Sequence, residues 1–326
     1  MAPGNSGEAM YNTIAIFRAL QLGDMLCAVP ALRALRHAYP HAHIALIGLP
    51  WAADFSERFS AYVDEFILFP GYPGLPEQPV NAKITDAFCD DIRARKFDLL
   101  LQMQGNGFIV NPLIESLGAK VTAGFWRRRD YCPDASRYME YPEDEHEINR
   151  HLLLMEYLGI PSQGTHLEFP YSAGMNLPDT FICVHPGSRS GARQWPARHF
   201  AALADFFAGE GYTIVLTGTS GEKPLTREVA ARMDYPALNL AGQTSLDEIA
   251  CLIHHAAALF ANCTGVSHIA AALKTPSVIV SMDGEPHRWA PLNHALHRTI
   301  DWTVKPDYNI VLEEARALLA AKGLRV

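Results

Sequence analysis

From residue 13 onward, short apolar runs alternate with stretches whose apolar residues recur every three or four positions. That alternation is the signature of βαβ units and a parallel sheet. TIAIFR (13–18) predicts a buried strand. After the turn ALQLGD (19–24), Ala28, Leu32, Leu35 and Tyr39 fall at i, i+4, i+7 and i+11, one face of a helix that Pro40 ends. HIALIGL (43–49) predicts the second strand, followed by an extended stretch at 65–69 and a helix over 84–96. FDLLLQM (97–103) and KVTAGF (120–125) complete the strands of this half. The Pro/Gly-rich loop PGYPGLPEQP (70–79) is too polar and broken for a core, and long loops of this kind often border binding sites. A helix opens at EDEH (143–146) and runs to Tyr157, closed by Gly159 and Pro161; its acidic start suits the helix dipole.

Residues 161–178 are rich in Gly, Ser and Pro and read as a linker. A second alternating series follows. Its predicted strands are 181–187, 212–218, 258–262 and 276–282, and its helices 197–209, 221–233, 245–256, 265–273 and 310–322. The expected architecture is α/β: a flexible tail over 1–12, then two Rossmann-like open-sheet domains, 13–165 and 166–326, facing across a cleft. The last helix is a candidate to pack back on the N-terminal domain. In such sheets ligands bind beyond the carboxyl ends of the strands.

Composition removes several classes. The chain has 326 residues, 49% of them hydrophobic, enough for two cores of ordinary size. Its formal charge of -8 lacks the basic excess of a duplex-binding protein, so no nucleic-acid partner is expected. The six cysteines are scattered, without C-x-x-C spacing, and read as reduced core thiols rather than a zinc site or disulfide framework. No apolar run reaches the ~20 residues of a membrane helix, and MAPGNSGEAMYN has neither the basic nor the apolar region of a signal peptide. A cytoplasmic protein is expected.

Three strand-to-helix turns carry candidate chemistry. In Leu22-Gly23-Asp24, Asp24 is either the N-cap of the next helix or a carboxylate placed for acid–base work. In HPGSRSGARQWP (185–196), small residues with Ser188, Arg189 and Arg193 precede a helix, which suits a phosphate; solvated arginines on a polar loop are the alternative. In NCTGVSH (262–268), Thr264 and Gly265 stand at the mouth of a helix where backbone N–H groups can meet a diphosphate. His268 is either part of that site or a satisfied helix histidine. Neither a Walker loop nor an Asp-x-Asp occurs.

These turns, in this order, resemble glycosyltransferase family 9, the ADP-heptose:lipopolysaccharide heptosyltransferases and their relatives. The carriers are Leu22-Gly23-Asp24 with Pro30-Ala31-Leu32-Arg33-Ala34-Leu35, His185-Pro186-Gly187-Ser188, and Arg193-Gln194-Trp195-Pro196. Gly218 with Glu222, Leu240-Ala241-Gly242, and Thr264-Gly265-Val266-Ser267-His268 running into Ile269-Ala270-Ala271-Ala272-Leu273 follow. Each is weak alone; their order and spacing over residues 14–291 are specific.

The resemblance implies the GT-B fold and an inverting transfer of a sugar, heptose first, from a nucleotide-diphosphate donor such as ADP-heptose to a glycan or lipid-linked hydroxyl. No cofactor and no metal are implied; a peripheral contact with the inner membrane is allowed. It assigns Asp24 as the catalytic base and Ser188, Arg193, Glu222, Thr264, Gly265 and His268 to the donor. Arg193 replaces the family's phosphate-binding Lys, and Glu222 matches its nucleoside-binding Glu.

Two departures bear on the donor sugar more than on the reaction. Cys263 stands where the family usually has an acidic residue, and Leu101-Gln102-Met103-Gln104-Gly105 where it commonly reads Asp-Leu-Gln-Gly. Three other readings stand beside this one: a GT-B-like sugar-nucleotide epimerase, a non-catalytic nucleotide-sugar binder, and a Rossmann dehydrogenase. The last lacks a G-x-G-x-x-G after either first strand.

Overall fold

The computed structural model describes residues 11–324. The chain divides into two compact units, Met1–Thr165 and His166–Val326. The N-terminal unit runs β1 (Thr13–Phe17), α1 (Leu22–Ala38), β2 (His43–Gly48), α2 (Ala52–Arg58), β3 (Glu65–Leu68) and α3 (Ala82–Arg95). It continues with β4 (Leu99–Gln102), α4 (Val110–Ser116), β5 (Val121–Trp126), β6 (Tyr138–Glu140) and α5 (Glu147–Tyr157). The strands form one parallel sheet in the order β3-β2-β1-β4-β5-β6. β1 and β4 therefore sit side by side where the chain reverses its direction of travel across the sheet.

Ile14, Ala15, Ile16 and Phe17 are fully buried, as a central strand covered on both faces requires. α1 is buried through Met25–Leu35 with only Arg33 partly exposed, and it packs along α5; Pro30 lies inside it.

Most of the stretch expected as a tail, residues 1–10, lies outside the described residues. Asn12, at its end, is tied down: its amide donates to Asp98 Oδ2 at 2.8 Å and its carbonyl accepts from His43 N. Lys120 and the amides of Asn12 and Thr13 hold the Asp98 carboxyl down at about 2. The acidic run at 143–145 precedes α5 rather than opening it. His146 is the N-cap, its Nδ1 accepting from Ile148 N, and the first-turn acid is Glu147.

The C-terminal unit runs β7 (Phe181–His185), α6 (Ala197–Gly209), β8 (Thr213–Leu216), α7 (Lys223–Arg232), β9 (Ala237–Asn239) and α8 (Leu246–His255). β10 (Ala258–Asn262), α9 (Gly265–Leu273), β11 (Ser277–Ser281), α10 (Pro286–Trp289), β12 (His297–Asp301) and α11 (Tyr308–Ala320) follow. Its parallel sheet, β12-β11-β10-β7-β8-β9, repeats the strand order of the first unit, with the reversal between β7 and β10. Phe200, Leu203, Ala204 and Phe207 of α6 pack with Ile182, Val184 and Phe260 of the sheet.

α11 lies on β11 and β12 of its own unit, and Val311, Ala315, Leu318 and Leu319 are fully buried in that core. Within 161–178 no helix or strand forms, yet Leu167 and Phe169 are buried, so the segment is anchored rather than a loose linker.

Candidate active site

In the C-terminal unit, the loops after β7, β8, β10 and β11 leave from the carboxyl ends of adjacent strands, around the point of reversal. One residue ties them together. Asn262, the last residue of β10, is fully buried. Its Nδ2 donates to the carbonyls of Pro186 (2.7 Å) and Gly187 (3.2 Å), and its Oδ1 accepts from Trp195 N at 2.8 Å. Both ends of the 185–196 loop are thereby fastened to the turn that carries Thr264 and Gly265. The sequence reading missed this residue. Its signal was a lone amide closing an otherwise apolar strand, ALFAN, since a buried amide needs partners.

Thr264 is the N-cap of α9 and Gly265 its first residue. The Thr264 carbonyl accepts from Ser267 N and Oγ, at 3.0 and 2.6 Å. The Thr264 hydroxyl is buried and has no hydrogen-bond partner among the described residues. An orphaned hydroxyl beside open helix N–H groups is a place where a phosphate oxygen can be received. One turn further, His268 is 97% buried, in edge contact with the Trp289 ring at 6.4 Å.

Glu222 closes a short 3-10 turn, Ser220–Glu222, and forms a capping box with Thr219. Its Oε2 accepts from Thr219 N at 2.7 Å and Thr219 Oγ1 at 3.0 Å. Its Oε1 lies against Gly187, where a β-carbon would stand 2.2 Å away; only glycine admits this approach. His185, whose Nδ1 pairs with Thr217 Oγ1 at 3.0 Å, stands 4.0 Å from Oε2. Burial lowers the His185 pKa, against the pull of the Glu222 charge. A carboxylate held in this way can accept hydrogen bonds from sugar hydroxyls.

Ser188 is buried, and its carbonyl accepts from Gln194 Nε2 at 3.1 Å. Arg193 ends the 3-10 turn Gly191–Arg193 with a half-exposed side chain. Its Nε is 3.3 Å from Asp283 Oδ2, and Asp283 is itself held by Ser281 Oγ and Glu285 N. Cys263 is nearby: burial and then the Asp283 charge push its thiol up to about 12, so a neutral group occupies this position. Ser188, Arg193, Glu222, Thr264, Gly265 and His268 therefore all lie on loops or first helical turns of one sheet edge. Among the described residues no cluster of three or more His, Cys, Asp or Glu could hold a metal ion.

Asp24 belongs to the other unit, at the equivalent place beyond β1. The capping role is corrected: the N-cap of α1 is Gln21, without a side-chain bond, and Asp24 is the third helical residue. Its carboxylate lies in the first turn, where the helix dipole favours negative charge.

Beneath this turn is a buried polar group that the sequence reading missed. Arg18, 1% exposed, donates to the Asp24 carbonyl from Nε (3.2 Å) and Nη2 (2.7 Å), and to the Met103 carbonyl from Nη1. Nη2 also meets Glu147 Oε1 at 3.3 Å, and Glu147 bonds Arg150 and His151. Burial alone would raise the Glu147 pKa. The His151 bond and the charges of His151, Arg18 and Arg150 outweigh it and hold the carboxyl well below the usual range. Gln104 Oε1 accepts from Ala19 N at 2.7 Å, so the glutamine two residues past β4 fixes the start of the same turn.

Comparison with known proteins gives the family and the fold. The sequence model of glycosyltransferase family 9 (heptosyltransferase) matches residues 86–305. Lipopolysaccharide heptosyltransferase 2 of Escherichia coli K12 is 36% identical over 305 residues, covering 84% of this chain and 83% of that protein. Among solved structures, a family 9 glycosyltransferase from Veillonella parvula superposes with a TM-score of 0.78 at 21% identity, over 97% of this chain and 100% of that one. The E. coli ADP-heptose lps heptosyltransferase II gives 0.76 at 22%, over 95% and 99%. The fold is that of the GT-B heptosyltransferases, and no helix among the described residues is long and apolar enough to cross a membrane. The chain is a glycosyltransferase and belongs to glycosyltransferase family 9.

Proposed function

We propose that this enzyme moves heptose from ADP-heptose to a sugar hydroxyl of a lipid-linked acceptor in lipopolysaccharide assembly. The observation that carries the reading is the 36% identity to a lipopolysaccharide heptosyltransferase across 84% of the chain. The unpartnered Thr264 hydroxyl and the glycine-gated Glu222 supply the local chemistry a nucleotide diphosphate needs.

In this reading the C-terminal unit takes the donor. Glu222 accepts from the nucleoside hydroxyls, while Arg193, Ser188 and the N–H groups at Thr264 and Gly265 meet the diphosphate, with His268 lining the same turn. The N-terminal unit takes the acceptor. The Asp24 carboxylate removes the acceptor proton as that oxygen attacks the anomeric carbon. The bond from that carbon to the diphosphate oxygen breaks on the opposite face, so configuration inverts and ADP leaves with the electron pair. Arg193 and the α9 N-terminus stabilise the charge that develops on the leaving group, in the role a metal plays elsewhere. We place the protein in the cytoplasm, peripheral to the inner membrane, where a lipid-linked acceptor would be met. The epimerase and non-catalytic readings are not favoured.

The test is a transfer assay with purified protein, ADP-heptose and a heptose-acceptor core, run beside Asp24→Asn. The variant is expected to lower kcat ~10²–10⁴-fold with donor affinity unchanged. Transfer that persists at the wild-type rate in Asp24→Asn would remove the base. Failure of ADP-heptose to bind the wild type would remove the donor.

A further inference from the structure

The geometry points to Arg18 as the positioning residue for the catalytic turn; this inference rests on the assignment of Asp24 as base. A guanidinium buried to 1% exposure is retained only where its donors are used. Here they go chiefly to the backbone. Nε and Nη2 converge on the carbonyl of Asp24 itself, while Nη1 reaches the carbonyl of Met103, just past β4. One planar fork thus joins the first turn of α1 to the end of the neighbouring strand, across the point where the sheet reverses. The Asp24 backbone cannot shift along the helix axis or away from β4 without breaking these bonds.

The surroundings show that the charge is balanced independently of the turn. Glu147 pairs with both Arg18 and Arg150. The remaining donors of Arg150 are engaged with the carbonyls of Pro142, Glu143 and Glu145, so it cannot substitute at Asp24. A Lys at 18 would keep a positive charge facing Glu147 but could not span the two carbonyls as a fork, since an ammonium is a point donor. At the turn itself Arg18 touches backbone only and does not reach the reacting atoms by these bonds; its effect passes through the placement of Asp24.

The experiment compares Arg18→Lys with the wild type and with Phe88→Leu, a core change in α3 chosen as a control for lost stability. Displacement of a reacting group by ~1 Å can cost ~10²-fold in rate. Arg18→Lys is therefore expected to lower kcat about 10- to 100-fold, with ADP affinity unchanged, and to speed amide hydrogen exchange locally over residues 19–26. Phe88→Leu should lower the melting temperature and leave kcat near wild type. If Arg18→Lys does not fold, Arg18→Gln, which leaves Glu147 paired with Arg150, is read in the same way. Wild-type kcat with wild-type exchange in the Arg18 variant overturns the inference, as does an equal loss of kcat in Phe88→Leu. Asp24→Asn separates the two ideas. If it is inactive while Arg18→Lys keeps wild-type turnover, only the positioning role falls; if it turns over normally, the base assignment falls and this inference with it.

Discussion

At residue 187 the absence of a side chain decides what its neighbour can do. Glu222 brings Oε1 to a spot where a β-carbon would stand 2.2 Å away, and its Cδ to 2.3 Å. Gly187→Ala must push the carboxylate aside. Because the displaced group is the end of a flexible side chain, the change should cost binding rather than folding. We expect ADP-heptose affinity to fall about 10-fold, the equivalent of one charge-assisted hydrogen bond, with the melting temperature moved by only a few degrees; calorimetric titration beside thermal unfolding checks both. Some single residues were legible in the sequence, because small and charged residues packed between a strand and a helix are rare outside loops that meet ligands. Asn262 and Arg18 were not. Asn262 meets Trp195 67 residues away, and Arg18 links the nearby Asp24 carbonyl to Met103, 85 residues on; no local spacing encodes either tie.

At the scale of elements, periodicity located the long helices and central strands because each buries one stripe or both faces. α9 and β10 match the expected limits, and α6 does as well. The elements that escaped were short or polar: α2 (AADFSER), α4 (VNPLIES), β6 (YME), β9 (ALN), α10 (PHRW) and β12 (HRTID). In pieces of this length the period is not established, and neighbouring elements decide the conformation. The start of α1 was missed by three residues for a related reason: Gln21, the N-cap, makes no side-chain bond there, whereas Asp24 is a favoured capping residue. The join between elements also makes a prediction. Asn262→Leu keeps the volume but strands the Trp195 amide and the Pro186 and Gly187 carbonyls in the interior. Each unmet group costs ~1–3 kcal/mol, so urea unfolding should show a loss of at least ~1–3 kcal/mol, accompanied by weaker donor binding as the 185–196 loop loosens. A variant with wild-type stability would show that the loops are held by other means.

Across the whole molecule, each unit also carries a buried imidazole whose proton is linked to folding. Burial lowers His297 to about 4, aided by His294, and burial with the Arg18 charge lowers His151 to about 4. An unfolded His titrates near ~6.5. Below that pH the unfolded chain binds the extra protons, so stability is complete above ~6.5 and is lost as pH falls toward about 4. By pH 5 the loss should be roughly 2 kcal/mol for each site. Denaturant unfolding at pH 7.5 and 5.0 measures it, and His297→Gln should flatten its share; equal stability at the two pH values would show that neither site is linked to folding. The same network has a consequence for how the protein is made. Arg18 and Glu147 are 129 residues apart, nearly the full span of the first unit. A nascent chain emerges at about 5–20 residues per second, so β1 and the turn after it leave the ribosome many seconds before α5 exists to close over them. During that interval Arg18 has no carboxylate to face, and the helix that packs along α1 is missing. The surroundings of the turn that bears the proposed base are completed by the last helix of the unit to be synthesised, so a polypeptide truncated before residue 147 would leave the Arg18 charge without its carboxylate as well as α1 without its neighbour.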